Sequence, residues 1–204
     1  MLIPFDRIVK QYGKPKGILH LGANIGEEAE SYKKQGVKNV IWVEANPVIY
    51  QKLFDNVFKL GHQAFNFCVG DENKETVLHV ANNDSQSSSV LELGTHKKQH
   101  PSVYYTHDIN VSMKRIDSVF SSEHLGGIDF VNLDLQGFEM QALIGMGELL
   151  DQFKYVYLEV NKADVYKGCA QFNEIEKFLN ARGFRHVETA KWIGDWSDAF
   201  FTKK

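Results

Sequence analysis

The segment 17–28, together with Glu44, restricts the fold more than any other part of the chain. It reads GILHLGANIGEE, which is a short apolar run, a glycine-rich turn and two carboxylates, and the next apolar run ends in Glu44. Short apolar runs on either side of a helical stretch indicate a βαβ unit with buried parallel strands. In nucleotide-binding units of this kind, the turn lets a ligand approach the backbone and an acid after the second strand bonds the ribose. The segment therefore predicts a nucleoside site.

The turn departs from the dinucleotide-binding pattern GxGxxG. In that pattern the middle glycine lets the backbone approach a pyrophosphate, and in this chain Asn24 replaces it. We expect Glu27 and Glu28 in the first turn of the next helix, where they suit the helix dipole but would repel a diphosphate. S-adenosylmethionine has no phosphate, and it offers a ribose to Glu44 and two positive groups to nearby carboxylates. The turn thus favours this ligand over a nicotinamide dinucleotide.

Composition and charge exclude several classes of protein. The chain has 204 residues, a net charge of −3 and 24% charged residues, so it offers no basic field for nucleic acid or an anionic membrane. Cys68 and Cys169 lie outside any CxxC pattern, which argues against a disulfide framework or a structural zinc site. Residues 1–10, which include Asp6, Arg7 and Lys10, lack the apolar core expected of a signal peptide, and no apolar run of about 18 residues occurs. We expect a single cytoplasmic domain over residues 1–204.

Strand and helix patterns alternate along the chain. Apolar and alternating runs predict strands at 17–21, 39–44, 64–69, 76–80, 108–116, 128–135 and 155–160, and a closing antiparallel hairpin formed by 184–189 and 199–202. Helical spacing predicts helices that end at Gly61, at residue 150 and at Gly183. This order predicts an α/β fold with a doubly wound, mostly parallel Rossmann-like sheet and an antiparallel C-terminal strand. We expect the long polar segment 81–107 to be mobile or to form a lid.

Five residues lie at or just after the ends of predicted strands, at the edge of the sheet where ligands bind. These residues are Gly22, Glu44, Val69, Asp134 and Glu159. Ligands of doubly wound sheets bind beyond the carboxyl ends of the strands, near the point where the strand order reverses. We therefore expect these residues to surround one site.

Several segments resemble those of a known enzyme family. They are LGANIGEE (21–28), VEANP (43–47), CVGDEN (68–73), RIDSVF (115–120), DFVNLDLQGFEMQALIGM (129–146) and YLEVN (157–161). In these segments the chain resembles the FkbM-like family of class I S-adenosylmethionine-dependent methyltransferases, most specifically in the block 134–139, which is similar to the family's DxEGxE segment. It departs from the family at His20, where many members have an acid, and at Gln136, which replaces the usual glutamate.

The resemblance implies that S-adenosyl-L-methionine is the cofactor and assigns residues to each part of it. Residues implied to surround the methionine part are Gly22, Ala23, Asn24 and Gly26. Glu44 is implied to hold the ribose. Cys68 and Val69 are implied to line the adenine pocket, with Asp71 close by, and Asp134 to lie beside the sulfonium and the acceptor.

A methyl group on a sulfonium is already activated, so the protein must mainly align the acceptor and exclude water. A hydroxyl acceptor also needs a base, and Asp134, Glu139 and Glu159 are the candidates. Crowded carboxylates raise one another's pKa, which makes a better base. Alternatively, Glu139 caps its helix and Glu159 bonds backbone amides. The prediction is an O-methyltransferase that acts on a hydroxyl of a saccharide or another small molecule.

Other readings of the same residues remain open. The chain could be a nicotinamide-dependent oxidoreductase or a catalytically idle Rossmann-like binding domain. Asp134, Glu159 and Asn161 could hold magnesium, although the resemblance implies no metal. Residues that could contact the acceptor, or simply pack or lie at the surface, are Ser87, Ser88, Ser89, Tyr104, Tyr105, His107, Trp192 and Trp196. His96 and His100 lack a third ligand nearby and are predicted to be loop residues.

Overall fold

The computed structural model describes residues 1–203, and a seven-stranded sheet lies at their centre. The strands are β1 (Gly17–Leu21), β2 (Asn39–Glu44), β3 (Gln63–Asn66), β4 (Cys68–Val69), β5 (Lys74–Ala81), β6 (Tyr105–Lys114), β7 (Phe130–Leu133), β8 (Tyr155–Asn161), β9 (Arg185–Thr189) and β10 (Trp196–Thr202). The helices are α1 (Phe5–Tyr12), α2 (Ala29–Lys34), α3 (Pro47–Val57), α4 (His96–Gln99), α5 (Ile116–Val119), α6 (Glu139–Gly145) and α7 (Phe172–Ala181).

The strand order of the central sheet is β3-β2-β1-β7-β8-β10-β9. The neighbours from β3 to β8 run parallel, whereas β10 runs antiparallel to both β8 and β9. This confirms the predicted mostly parallel sheet with an antiparallel C-terminal strand. The chain moves outward from β1 on one side and returns to β7 on the other. The strand order therefore reverses between β1 and β7, which is where ligands bind in such sheets.

Each face of the sheet carries its own apolar core. Successive residues of a strand point to opposite faces, so Ile18 and Leu19 belong to different cores. The first core contains residues of α1, α2 and α3, and the second contains residues of α5, α6 and α7. The longest helix, α3, has 11 residues. Within residues 1–203, no helix combines the length and the apolar character needed to span a bilayer.

The start of α3 follows the sequence signal for a capped helix. The side chain of Asn46 accepts a hydrogen bond from the backbone N–H of Val48 (3.0 Å), and Pro47 is the first helical residue. This cap fixes the backbone of Asn46 immediately after β2. The residue is thereby placed next to Glu44, the acid that ends the strand.

The predicted strand 64–69 is wrong as a single element. β3 ends at Asn66, and the side chain of Phe67 enters the core, with its ring centroid 6.3 Å from that of Phe120. β4 then pairs with β6 in a separate three-stranded sheet of order β4-β6-β5. The chain therefore leaves the central sheet at Phe67 and joins the smaller sheet at Cys68.

Two predicted helix boundaries also need correction. Glu27 and Glu28 precede α2 rather than forming its first turn, because two tight turns meet at Gly26: its N–H donates to Ala23 and its carbonyl accepts from Ala29. The predicted helix 138–150 is α6 followed by a 3₁₀ helix over Gly147–Gln152. It breaks at Gly147, whose φ of 54° lies in the left-handed region.

Candidate active site

A cavity of about 410 Å³ opens at the carboxyl ends of β1, β2, β7 and β8. The predicted site residues that line it are Gly22, Ala23, Asn24, Glu44, Cys68, Val69, Asp134 and Glu159. Gly26, Asp71 and Glu139 lie outside the lining. The long polar segment also contributes to the wall, from Asn83 to Val90. The structure therefore brings most of the predicted residues to the edge where the strand order reverses.

The floor of the cavity is the turn after β1. The backbone N–H groups of Gly22 and Ala23 both donate to the carbonyl of Val43, each over 3.0 Å. Gly22 has a φ of 76°, and a side-chain carbon there would lie 1.9 Å from the carbonyl oxygen of Asp134. A glycine is thus required both by the backbone conformation and by the close approach of β7.

Two backbone N–H groups hold the carboxylate of Glu44. Asn24 donates to its Oε2 (2.9 Å) and Asn46 donates to its Oε1 (2.8 Å). Asn24 reaches this position with a φ of 44°, which a residue other than glycine seldom adopts. Burial raises the pKa of Glu44 to about 7, although both N–H groups oppose this shift. A carboxylate has about four acceptor positions, so this arrangement leaves acceptor capacity for a pair of ribose hydroxyls.

One wall of the cavity is apolar and fits a flat heterocycle. Phe67, Cys68, Val69 and Leu78 line it and are buried. Burial, together with the charge of Glu44, raises the pKa of the Cys68 thiol to about 12. The thiol therefore stays neutral at physiological pH and belongs to the apolar wall. An adenosyl group would place its ring on this wall and its ribose on Glu44.

Asp134 and Glu159 lie on the opposite side of the turn, and Gln136 joins them. The side-chain nitrogen of Gln136 donates to Asp134 Oδ1 (2.5 Å) and to Glu159 Oε2 (3.1 Å). Asn161 also donates to Glu159, over 3.5 Å. An amide N–H of Asn161 rather than its oxygen thus faces the carboxylate. This orientation differs from the set of oxygen ligands that the magnesium alternative requires.

The environment raises the pKa values of both carboxyl groups. Partial desolvation inside the cavity and the nearby Asp198 raise the pKa of Asp134 to about 6, whereas its hydrogen bond from Gln136 opposes the shift. Burial, followed by the charges of Glu139 and Asp134, raises the pKa of Glu159 well above its ordinary value. Both residues line the cavity, but Asp134 is exposed there whereas Glu159 is buried.

The three predicted residues outside the lining have other contacts. Glu139 is 1% exposed and accepts hydrogen bonds from the backbone N–H groups of Leu135 (2.8 Å) and Gly137 (3.3 Å). The backbone carbonyl of Asp71 accepts from Arg115 (2.8 Å). A side-chain carbon at Gly26 would lie 2.9 Å from Leu53 of α3. In this geometry Glu139 supports the loop after β7 rather than facing the cavity.

The structure adds residues that the sequence patterns did not select. Tyr166, His96 and His100 line the end of the cavity beyond Asp134, where Trp196 also lies. The only signal for the two histidines was their i, i+4 spacing, and they lie on α4 and immediately after it rather than in an irregular loop. Tyr166 follows β8 in a segment without periodicity, so nothing in the sequence distinguishes it.

Other aromatic candidates have packing roles. Trp192 packs against Phe172 of α7, with ring centroids 6.5 Å apart, and it does not line the cavity. Tyr105 donates to the carbonyl of Leu91 (2.7 Å) and lies outside the lining, as do Tyr104 and His107. By contrast, Ser87, Ser88 and Ser89 all line the cavity. Part of the long polar segment, α4 and the residues after β8 therefore form part of the cavity wall.

The polar segment is tied to the residues that position Glu44. Asn24 donates through its side chain to the carbonyl of Asp84 (3.2 Å), and Asn46 donates to the hydroxyl of Ser85 (3.2 Å). Asp84 and Ser85 both have positive φ values, of 54° and 66°. The segment thus lies against the cavity and is held there by the side chains of Asn24 and Asn46.

Comparisons with known proteins show the family to which the chain belongs. The family model described as Methyltransferase FkbM domain matches residues 20–186. The 2-O-methyltransferase NoeI of Sinorhizobium fredii is 26% identical over 171 residues, which cover 79% of this chain and 70% of NoeI.

Solved structures share the fold at low sequence identity. The magnesium protoporphyrin IX methyltransferase ChlM of Synechocystis, with bound S-adenosylmethionine, has a TM-score of 0.54 and 10% identity, covering 98% of this chain and 76% of ChlM. A ribosomal protein L11 methylase from Lactobacillus delbrueckii has a TM-score of 0.50 and 13% identity, covering 98% of this chain and 77% of that protein. Their acceptors differ greatly, so the fold does not identify the acceptor. The chain belongs to the FkbM methyltransferase family, and S-adenosylmethionine is its methyl donor.

Proposed function

We propose that this methyltransferase methylates a hydroxyl oxygen of an uncharged small molecule, most simply a saccharide. The observation that carries the proposal is the composition of the cavity beyond Asp134. Aromatic rings and neutral polar groups form its wall, and no lysine or arginine is among the lining residues, all of which lie within residues 1–203. The 2-O-methyltransferase activity in the name of NoeI supports an oxygen acceptor.

The cofactor half of the cavity fits an adenosyl ligand without phosphates. We assign the ribose to Glu44, the adenine to the wall of Cys68 and Val69, and the methionine part to the turn at Gly22, Ala23 and Asn24. When bound, S-adenosylmethionine supplies a methyl group that its sulfonium has already activated. The protein's contribution is to align the acceptor oxygen and to exclude water.

The acceptor half of the cavity offers flat faces and hydrogen-bonding groups. Trp196 and Tyr166 supply aromatic surface, and Ser87, His96 and His100 supply polar groups. Sugars present apolar ring faces and several hydroxyls, which match such a surface. An acceptor that carries phosphate or carboxylate groups would meet the carboxyl groups of Asp134 and Glu159, and the amino group of Met1, which also lines the cavity, is already paired with Glu28 (3.3 Å). This charge distribution favours a neutral acceptor.

Asp134 is our candidate for the general base. Its pKa of about 6 leaves it ionised at neutral pH, and it is exposed to the cavity. It can accept the proton of an acceptor hydroxyl as the new bond forms. Glu159 is buried and its two oxygens accept hydrogen bonds from Gln136 and Asn161, so we assign the base to Asp134 instead. Glu139 does not face the cavity, and we assign it the positioning of the loop between β7 and α6.

A panel of acceptors tests this proposal. Purified protein and isotope-labelled S-adenosylmethionine would be incubated with neutral methyl glycosides, the matching uronic acids and sugar phosphates, and with an RNA oligonucleotide. We expect label to enter one or more neutral glycosides, at least tenfold more efficiently than the charged analogue. Preferred methylation of a charged sugar or of RNA would contradict the proposal. No transfer at all, with intact binding of S-adenosylhomocysteine, would favour an idle binding domain.

A further inference from the structure

The side chain of Gln136 lies between the two carboxylates at the centre of the cavity. Its amide nitrogen is 2.5 Å from Asp134 Oδ1 and 3.1 Å from Glu159 Oε2. Each hydrogen of an amide NH₂ group can serve a separate acceptor. One side chain thus satisfies both carboxylates, which come from the ends of two neighbouring strands, β7 and β8.

Three contacts fix the orientation of this amide. The hydroxyl of Tyr166 donates to Gln136 Oε1 (2.5 Å), so the amide oxygen faces away from the carboxylates. The hydroxyl of Ser89 donates to the backbone carbonyl of Gln136 (2.8 Å). The backbone holds a φ of 53°, which is uncommon outside glycine. Gln136 is therefore held in place from the polar segment and from the loop after β8.

We propose that Gln136 is a positioning residue that links Asp134 to Glu159 through its amide and thereby sets the charge that this pair presents to the methyl donor. A neutral amide donates to both carboxylates, whereas a glutamate would add a third negative group between them. The inference rests on the cofactor of the family and is independent of the acceptor.

Other charged and titratable groups surround the pair. They are Glu28 before α2, Glu44 on β2, Glu139 on α6, Tyr157 on β8, Tyr166 after β8, Asp198 on β10 and the amino group of Met1. Most of these groups are acidic, so the pair lies in a negative environment that opposes its ionisation. A hydrogen-bond donor directed at both carboxylates acts against that environment. This is the role we assign to Gln136.

A comparison of two ligands measures the charge of the pair without an acceptor. S-adenosylmethionine carries a positive sulfonium, whereas S-adenosylhomocysteine carries a neutral thioether in the same position. The ratio of their dissociation constants, measured by calorimetry from about pH 5 to about pH 7, where the α-amino groups of both ligands stay largely protonated, therefore reports negative charge near the sulfur. The hydrogen bonds between Glu44 and the ribose cancel in this ratio because both ligands have the same ribose. We expect the wild-type protein to favour the sulfonium more strongly as the pH rises.

The variants Gln136→Met and Gln136→Glu test the role of the amide. The first variant removes the hydrogen-bond donor, and the second replaces the amide by a carboxylate of the same shape. Both changes make ionisation of the pair harder. We therefore expect the pH midpoint, at which half of the change in the ratio has occurred, to rise by about one pH unit in each variant. Gln63→Glu, which adds the same charge at an exposed position on the edge strand β3, should keep the wild-type midpoint.

Each other outcome would overturn the inference. A purely structural role would weaken both ligands equally and leave the midpoint unchanged. A wild-type ratio that does not vary with pH would show that the pair does not change charge near the sulfur. Loss of S-adenosylhomocysteine binding in both variants would assign Gln136 to the fold rather than to the charge of the site. None of these results depends on whether the acceptor is a saccharide.

Discussion

A side-chain carbon on Gly22 would lie 1.9 Å from the backbone carbonyl oxygen of Asp134. The two residues follow β1 and β7, the parallel neighbours between which the strand order reverses. The N–H of Asp134 also donates to the carbonyl of Leu21 (3.0 Å). The pairing of the strands thus continues into the loops. This contact forms the floor of the cavity and leaves no room for a side chain.

We therefore predict that Gly22→Ala destabilises the protein and abolishes binding of S-adenosylhomocysteine. Gly61→Ala is the matched control, because Gly61 also has a φ of 76° but nothing lies within 4 Å of a carbon added there. The control should lose about 1–2 kcal/mol from the left-handed conformation alone. The clash at Gly22 should add about 1–3 kcal/mol. If urea denaturation showed the same loss of unfolding free energy in both variants, the close approach of Asp134 to Gly22 would not matter.

Glu44→Ala should weaken binding of S-adenosylhomocysteine by about 1–3 kcal/mol, the effect of losing a charged hydrogen-bond acceptor. In the wild-type protein, affinity should rise with pH as Glu44 ionises near its pKa of about 7, because the carboxylate is the better acceptor for ribose hydroxyls. The variant should lose this pH dependence. Glu30→Ala, on the exposed side of α2, is the control. An affinity in Glu44→Ala equal to that of the control would remove Glu44 from the ribose site.

Asp134→Asn should reduce turnover about 100-fold or more, the usual contribution of a general base. Binding of S-adenosylhomocysteine should change much less, since the amide keeps the shape of the carboxylate. Asp129→Asn is the control, because Asp129 and Asp134 flank β7 at opposite edges of the sheet. The side chain of Asp129 accepts a hydrogen bond from the N–H of Lys16 (2.8 Å). If Asp134→Asn retained full turnover in the acceptor assay, another residue would have to be the base.

Glu139→Gln should make the stability of the protein less sensitive to pH. Burial raises the pKa of Glu139 to about 8 from an ordinary value of 4.5, so between these values the folded state holds a proton that the unfolded state has released. The contribution of this pKa shift to the free energy of unfolding is fully present below about pH 4.5 and is lost as the pH rises through about 8. Urea denaturation at pH 6 and pH 8.5 measures the difference. Glu148→Gln, at an exposed position, should show the wild-type loss, and an equal loss in Glu139→Gln would disprove the explanation.

Much of the fold and the cofactor half of the site follows from short-range patterns. The buried run that ends in Glu44, the cap at Asn46 and the turn at Gly22 each involve residues close together in sequence. Parallel strands also end at one edge of a sheet, which is why the strand pattern alone predicts that Asp134 lies near Gly22.

The acceptor half depends on contacts between residues that are far apart in sequence. Ser89 reaches Gln136 and Gln136 reaches Tyr166 across separations of 47 and 30 residues. Periodicity carries no information about such contacts. The break at Phe67 is missed for a similar reason, because an apolar run does not show which sheet each of its residues joins.

A crystal structure with bound S-adenosylhomocysteine tests the central claim most directly. The account predicts both ribose hydroxyls within hydrogen-bond distance of Glu44, the adenine against Cys68 and Val69, and the sulfur beside Asp134. A ligand bound elsewhere, or a ribose whose hydroxyls do not contact Glu44, would contradict it.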